Sequence, residues 1–221
     1  MTATYRYVAA GVLHRQLYLP PVLLFAVVVV VGSRGDGGPL LPLYALWVGA
    51  ILVSSLWLTV AVLATEDVVQ ERITKVNARR MWVPLVAAMT VVLTFDVVMA
   101  GAAVFFPLLV GVHPTSGTDL LVGFLAQMAA AGTGAIVGLF CSRQVLPRPG
   151  YALLLAAVAV LALLLVRWLP PVNPLIRLLA GGDPASTMVG PVVLADALVA
   201  VILVAAVPVV HRAQRVASFG P

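Results

Sequence analysis

The chain has 221 residues, of which 62% are hydrophobic and 10% are charged, and its formal net charge is +5 at pH 7. A soluble globular domain carries about 25% charged residues, so this composition excludes that class and predicts an integral membrane protein. In lipid every backbone N–H and C=O group must be paired inside the protein, which favours an all-α architecture. Six spans of about 20 residues would use most of the chain, so we predict one transmembrane domain over residues 1–221.

The Lys and Arg residues are distributed unevenly about the six predicted spans. With both termini on one side, ten of the thirteen lie on that side, and short loops rich in Lys and Arg remain in the cytoplasm. The sequence therefore predicts cytoplasmic N and C termini. Lys75 is the single lysine, and this preference for arginine suggests a GC-rich bacterial genome. Together with the spans, it predicts a multi-pass protein of the bacterial plasma membrane. The ten are Arg6, Arg15, Arg72, Lys75, Arg79, Arg80, Arg143, Arg148, Arg212 and Arg215, and the other three are Arg34, Arg167 and Arg177. Charge spread over loops forms no stripe, so no nucleic-acid partner is predicted.

The N-terminal residues 1–18 are too polar to cross a membrane. Their apolar members recur at i, i+3, i+4 and i+7, which places them on one face of a helix. This pattern predicts a helix that lies in the inner membrane interface. The residues of the apolar face are Tyr5, Val8, Ala9 and Val12.

The first two spans follow this helix. The apolar run from Leu23 to Gly32 is short for a span, so the first crossing either begins near Leu17 with a kink at Pro20 and Pro21 or thins the bilayer. The second span is predicted from about Leu40 to Ala64, after a glycine-rich outer turn.

Residues 66–80 form the most polar stretch of the chain. The acids precede the bases, an order that suits the dipole of a helix. We predict a short amphipathic cytoplasmic helix, and a solvated loop that only obeys the positive-inside rule is the alternative. The acids are Glu66, Asp67 and Glu71, the bases are Arg72, Lys75, Arg79 and Arg80, and Val69, Ile73 and Val76 share one face.

Four further spans are predicted after this segment. Their approximate bounds are Met81 to Val110, Leu120 to Phe140, Tyr151 to Leu169 and Val189 to Val210. In the fourth span Ala130, Gly134 and Gly138 stand four residues apart, a spacing that allows two helices to approach closely.

The outer segment from Pro170 to Gly190 differs from the other loops. Leu175 to Ala180 is apolar and compatible with a helix, but three prolines precede it and Gly181 and Gly182 follow it. Six residues cannot cross the membrane, so we predict a short re-entrant helix that enters the outer leaflet and returns.

The chain carries no pattern for catalysis. A phosphate-binding loop needs a lysine directly after a glycine, and Lys75 follows Thr74. Neither a G-x-S-x-G nor an H-E-x-x-H motif occurs, and His14, His113 and His211 belong near opposite membrane faces, where they cannot share a metal. We therefore predict no enzyme activity, no catalytic residue, no metal site and no cofactor in this chain.

Two acids lie inside predicted spans. Asp96 is near the middle of the third span and Asp196 is in the outer half of the sixth. A carboxylate within a membrane is costly and suggests a functional role. The alternative is that each is protonated or bonded to a neighbouring helix, and Thr94 is the hydroxyl nearest to Asp96 in sequence.

The order of these parts resembles the permease subunit of bacterial ATP-binding cassette (ABC) exporters of the six-helix type. The matching parts are the N-terminal elbow helix, the charged helix after the second span and the broken outer segment before the sixth. The resemblance implies that residues 66–80 form the coupling helix, on which a separate ATPase subunit docks. It also implies two ATPase copies, which bind ATP and Mg²⁺, and a second permease subunit, identical or homologous.

The composition of the spans also bears on the substrate and on two alternative functions. Apolar spans with scattered Thr, Ser and Trp favour a hydrophobic or amphiphilic substrate. A proton-coupled transporter that uses Asp96 and Asp196 is the first alternative, and a membrane scaffold subunit that transports nothing is the second.

Overall fold

The computed structural model describes residues 2–34, 38–65, 82–111, 115–143, 145–146 and 148–218, with only the backbone of residue 3 and of residues 211–218. This part of the chain contains helices and no strand. The helices are α1 (Thr2–Arg15), α2 (Leu19–Gly32), α3 (Leu40–Leu63), α4 (Val83–Val110), α5 (Gly117–Phe140), α6 (Pro149–Leu165), α7 (Val172–Ala180) and α8 (Ala185–Ser218).

Four of these helices are long and apolar enough to cross a membrane: α3, α4, α5 and residues Ala185–Val210 of α8. The helices α1 and α2 pass the same test only as a pair, bent by 74° between Arg15 and Leu19, so that the described residues provide four or five spans. The predicted class, an α-helical membrane protein, is thus confirmed. The count of six spans, the topology and the elbow role of residues 1–18 stay predictions.

The bend between α1 and α2 has a local cause. Gln16 follows the last residue of α1 with φ of 55°, in the left-handed region that an L-residue rarely adopts. Pro20 and Pro21 occupy the first turn of α2, where a missing N–H leaves no hydrogen bond unmade. The helix after the bend therefore begins at Leu19, two residues after the start that we predicted, and has 14 residues.

The fifth predicted span is shorter in the structure than the sequence suggested. We expected it to reach Leu169, but α6 ends at Leu165 after 17 residues. The charged Arg167 and the Pro170–Pro171 pair follow, and neither continues an apolar helix. α6 alone is too short to count among the long spans.

The core is built around α3. This helix packs most extensively against α5, and it also contacts α2, α4 and α7. In turn α5 packs against α8, and α1 lies against α4. Tyr44, Trp47, Ile51 and Leu52 of α3 are fully buried, which makes α3 the central helix of the bundle.

Close contact between α3 and α5 depends on glycine. A Cβ atom added at Gly134 would lie 2.3 Å from the carbonyl oxygen of Leu52, and one at Gly138 would lie 2.7 Å from that of Leu56. Real Cβ atoms essentially never come so close to backbone, so only glycine allows this spacing. The close approach predicted from the four-residue spacing in α5 is confirmed.

The segment from Pro170 to Gly190, before the long part of α8, contains the short helix α7. Its residues Val172, Leu175 and Leu179 are buried, and α7 packs against α3. Gly182, with φ of 81°, forms the turn between α7 and α8. The apolar stretch from Leu175 to Ala180 is helical as predicted, whereas its re-entrant role stays a prediction. The predicted coupling helix, residues 66–80, lies outside the described residues.

Candidate functional site

Polar side chains meet where α3, α4 and α5 come together, halfway along α4. Asp96 lies midway between Val83 and Val110 and is fully buried. The carboxyl group is held by Ser55 of α3, whose Oγ atom is 2.9 Å from Asp96 Oδ2. The same Oγ atom is 2.8 Å from the carbonyl oxygen of Ala131 on α5. Ser55 thus connects three helices at one point.

The two contacts of Ser55 bear on whether the carboxyl group of Asp96 carries a proton. A hydroxyl donates one hydrogen, and the carbonyl of Ala131 can only accept. Both contacts are full hydrogen bonds when Ser55 donates to Ala131 and a protonated Asp96 donates to Ser55. A neutral carboxyl group also avoids the large cost of a charge that has no ionic partner in the bundle interior. The geometry therefore favours a protonated Asp96 that fastens α4 to α3 and α5.

Four further polar atoms near this level of the bundle have no hydrogen-bond partner among the described residues. Asp96 Oδ1, Ser54 Oγ and both polar atoms of Gln127 are buried without a hydrogen bond. Gln127 is one turn before Ala131 on α5, and it is fully buried. Each unpaired polar group in such a place is costly, so this level of the core contains polar groups that the packing of the described residues does not satisfy.

Sequence reasoning missed Ser55, Ser54 and Gln127. The signal that identified Asp96, a polar residue inside an apolar span, also applies to these three. Thr94, the hydroxyl nearest to Asp96 in sequence, does not bond to it. Thr94 donates to the carbonyl oxygen of Thr90 at 2.8 Å and pairs with Tyr5 of α1 at 3.3 Å. Residues two apart on a helix do not face each other, so Thr94 cannot share the environment of Asp96.

Asp196 has a different environment from Asp96. It is half-buried on α8, which packs chiefly against α5, and its Oδ2 atom is buried without a hydrogen bond among the described residues. The structure shows no hydrogen bond between the two acids, so it does not join them into one site.

A groove separates α4 from α8 near one end of both helices. We call it the α4–α8 groove, and its volume is about 450 Å³. Apolar side chains provide most of its wall, and Thr90 and Trp82 are the polar exceptions. The groove is lined by residues that include Trp82, Met89, Leu93, Leu203, Val207 and Pro208.

The remaining predicted site residues lie in a part of the chain that the structure does not describe. Glu66, Asp67, Val69, Glu71, Arg72, Ile73, Lys75 and Val76 all belong to residues 66–80, outside the described ranges. Over the ranges that are described, no group of three His, Cys, Asp or Glu side chains could hold a metal ion. No protein-family model, curated protein or solved structure matches the chain.

Proposed function

We propose that the chain is the transmembrane subunit of an ABC transporter, driven by a separate ATPase that docks on residues 66–80. The observation that carries this proposal is the position of that segment. It holds one third of the Lys, Arg, Asp and Glu residues of the chain and connects α3 to α4, two helices of the bundle core. A partner that binds there would act directly on the core.

The packing of α3 and α4 supports transmission of such a movement. Ser55 of α3 and Asp96 of α4 are hydrogen-bonded in the bundle interior, so a displacement of the linking segment would move both helices together. Packed helices respond as rigid bodies that hinge or slide. Mixed charges on the segment, with acids before bases, would fix the register of a docked partner.

We also propose which helices form the six spans, the elbow helix and the re-entrant segment. The bent pair α1 and α2 provides the elbow helix and the first span, α6 provides the fifth span, and α7 provides the re-entrant segment within residues 170–190. Six spans then place both termini in the cytoplasm of a bacterial cell, in agreement with the arrangement of the basic residues. The path for an amphiphilic substrate lies between this unit and a second permease subunit, with export as the direction.

The alternative of a proton-coupled transporter receives less support. A proton carrier must exchange its proton with water on either side, whereas Asp96 is fully buried and bonded to Ser55. This environment fits a packing role for Asp96. The scaffold alternative differs from our proposal in having no ATPase partner.

Charge reversal in the linking segment tests the proposal. We expect the double substitution Glu66→Lys and Asp67→Lys, or Arg72→Glu alone, to reduce the ATPase that co-purifies with the protein by about tenfold or more, because like charges placed across an interface cost several kcal/mol. The measurement is the ratio of ATPase to permease after affinity purification from native membranes.

A matched control separates docking from insertion. Arg148 is exposed and is predicted on the same side of the membrane, so Arg148→Glu should leave both ATPase recovery and the amount of inserted protein unchanged. Normal ATPase recovery after replacement of all charges in residues 66–80 would refute the proposal.

A further inference from the structure

We infer that the α4–α8 groove and Asp196 together bind a lipophilic cation. The first observation is the groove itself. Its volume of about 450 Å³ lies in the range of about 300–1,000 Å³ found for small-molecule sites. Such sites are mostly apolar with few polar groups, and the walls formed by Met89, Leu93, Leu203 and Val207 are of this kind.

Asp196 lies on the face of α8 that lines the groove. Asp196, Leu203 and Val207 are at positions i, i+7 and i+11, which fall within one narrow stripe of a helix. Leu203 and Val207 both line the groove. Seven residues correspond to about 10 Å along the axis, so the carboxyl group is two turns beyond the apolar cleft. A molecule with a charged head and an extended apolar body can reach both.

The helices around Asp196 offer its carboxyl group no basic side chain. The sequences of α4, α5 and Ala185–Val210 contain no Lys, Arg or His. One carboxylate oxygen of Asp196 is nevertheless buried and unpaired. An intramembrane acid in this state favours a positive charge from outside the chain.

The same reasoning identifies the kind of occupant. A second copy of the chain is a poor source of the charge, because no basic residue occurs in any of the four long spans and a two-fold contact would bring acid against acid. A small hydrated cation would leave the apolar walls uncovered. A cation that carries a long apolar group satisfies the carboxylate and removes the groove surface from contact with the bilayer or water.

α8 is also the span that leaves this side most accessible. Only 17% of its membrane window is buried, against 56% or more in α3, α4 and α5. A ligand can therefore enter sideways from the lipid without separating packed helices. That this ligand is the transported substrate rests on the proposed function, whereas its binding requires no ATPase.

Binding of radiolabelled dodecyltrimethylammonium to the full chain in lipid nanodiscs tests the inference, with empty nanodiscs subtracted. We expect Asp196→Asn to weaken binding by about tenfold or more, because the head loses its only ionic partner. Asp196→Glu should retain most of the affinity. Leu203→Trp should fill the groove and weaken binding of the dodecyl group. Val207→Phe is a second variant at the same wall if Leu203→Trp fails to fold.

Two controls make the result specific. Asp183→Asn changes an exposed acid outside the long spans and should leave the affinity unchanged. Uncharged dodecanol should compete equally in the wild-type protein and in Asp196→Asn. Equal affinity of wild type and Asp196→Asn for dodecyltrimethylammonium would overturn the inference. The cation site and the proposed function can fail separately. If the cation binds but no ATPase co-purifies from native membranes, the site is supported and the proposed function is not. If an ATPase co-purifies but the cation does not bind, the proposed function is supported and the site is not.

Discussion

Gly134→Ala is expected to lower the free energy of unfolding by about 3 kcal/mol, the upper part of the range for overpacked interiors. The added Cβ atom would lie 2.3 Å from the carbonyl oxygen of Leu52 and 3.1 Å from the backbone nitrogen of Leu56. Backbone atoms cannot rotate aside as a side chain can, so α3 and α5 would have to separate along their contact. The measurement is unfolding of the purified protein in mixed micelles by titration with sodium dodecyl sulfate.

Gly101→Ala is the matched control for this experiment. Gly101 also lies within a long helix, but a Cβ atom there would meet nothing within 4 Å. Alanine should raise stability by up to about 1 kcal/mol, because it reduces the entropy of the unfolded chain. If Gly134→Ala and Gly101→Ala had the same effect, the close contact of α3 with α5 would not be a source of stability.

Asp96→Ala is expected to lower the free energy of unfolding by about 2 kcal/mol, through loss of an interhelical hydrogen bond and creation of a small cavity. Asp96→Asn should remain within about 1 kcal/mol of the wild-type protein, because its amide donates to Ser55 as a protonated carboxyl group does. The same unfolding titration measures both variants. Comparison of the two variants shows whether Asp96 acts as a neutral hydrogen-bond donor or as a charged group.

A double-mutant cycle provides the control for Asp96. Ser55→Ala should cost less in the Asp96→Ala background than in the wild type, since the two residues share one hydrogen bond. A loss of stability in Asp96→Asn as large as in Asp96→Ala would mean that the carboxyl group is ionised. The three-helix junction at Ser55 would then need another explanation.

Part of the fold could be predicted because it depends on single helices. The apolar runs that became α3, α4, α5 and α8 are properties of continuous sequence, and so is the spacing of Ala130, Gly134 and Gly138. That spacing indicates that α5 approaches some helix closely. It does not identify Leu52 and Leu56 of α3 as the contact, because the partner depends on the relative rotation and height of two helices.

The candidate site shows the same limit. Asp96 could be selected as an acid within a span, but its partner Ser55 is 41 residues away in sequence. Only the packing of α3 against α4 decides which of several buried hydroxyl groups it meets. Likewise, the α4–α8 groove is formed by residues of two helices that are more than 100 positions apart in the sequence. The periodicity of one helix cannot predict which other helix lies beside it.

An ATPase can bind residues 66–80 only if they face the cytosol, and cysteine labelling establishes on which side of the membrane they lie. Cys141 is the single cysteine, it is 3% exposed, and burial raises the pKa of its thiol, so Cys141→Ala gives a clean background. Val69→Cys and Thr115→Cys are then treated separately with a membrane-impermeant maleimide in intact cells and in inside-out vesicles. We predict that Val69→Cys reacts only in inside-out vesicles and Thr115→Cys only in intact cells. Reaction of Val69→Cys in intact cells would contradict the proposed topology and the docking site with it.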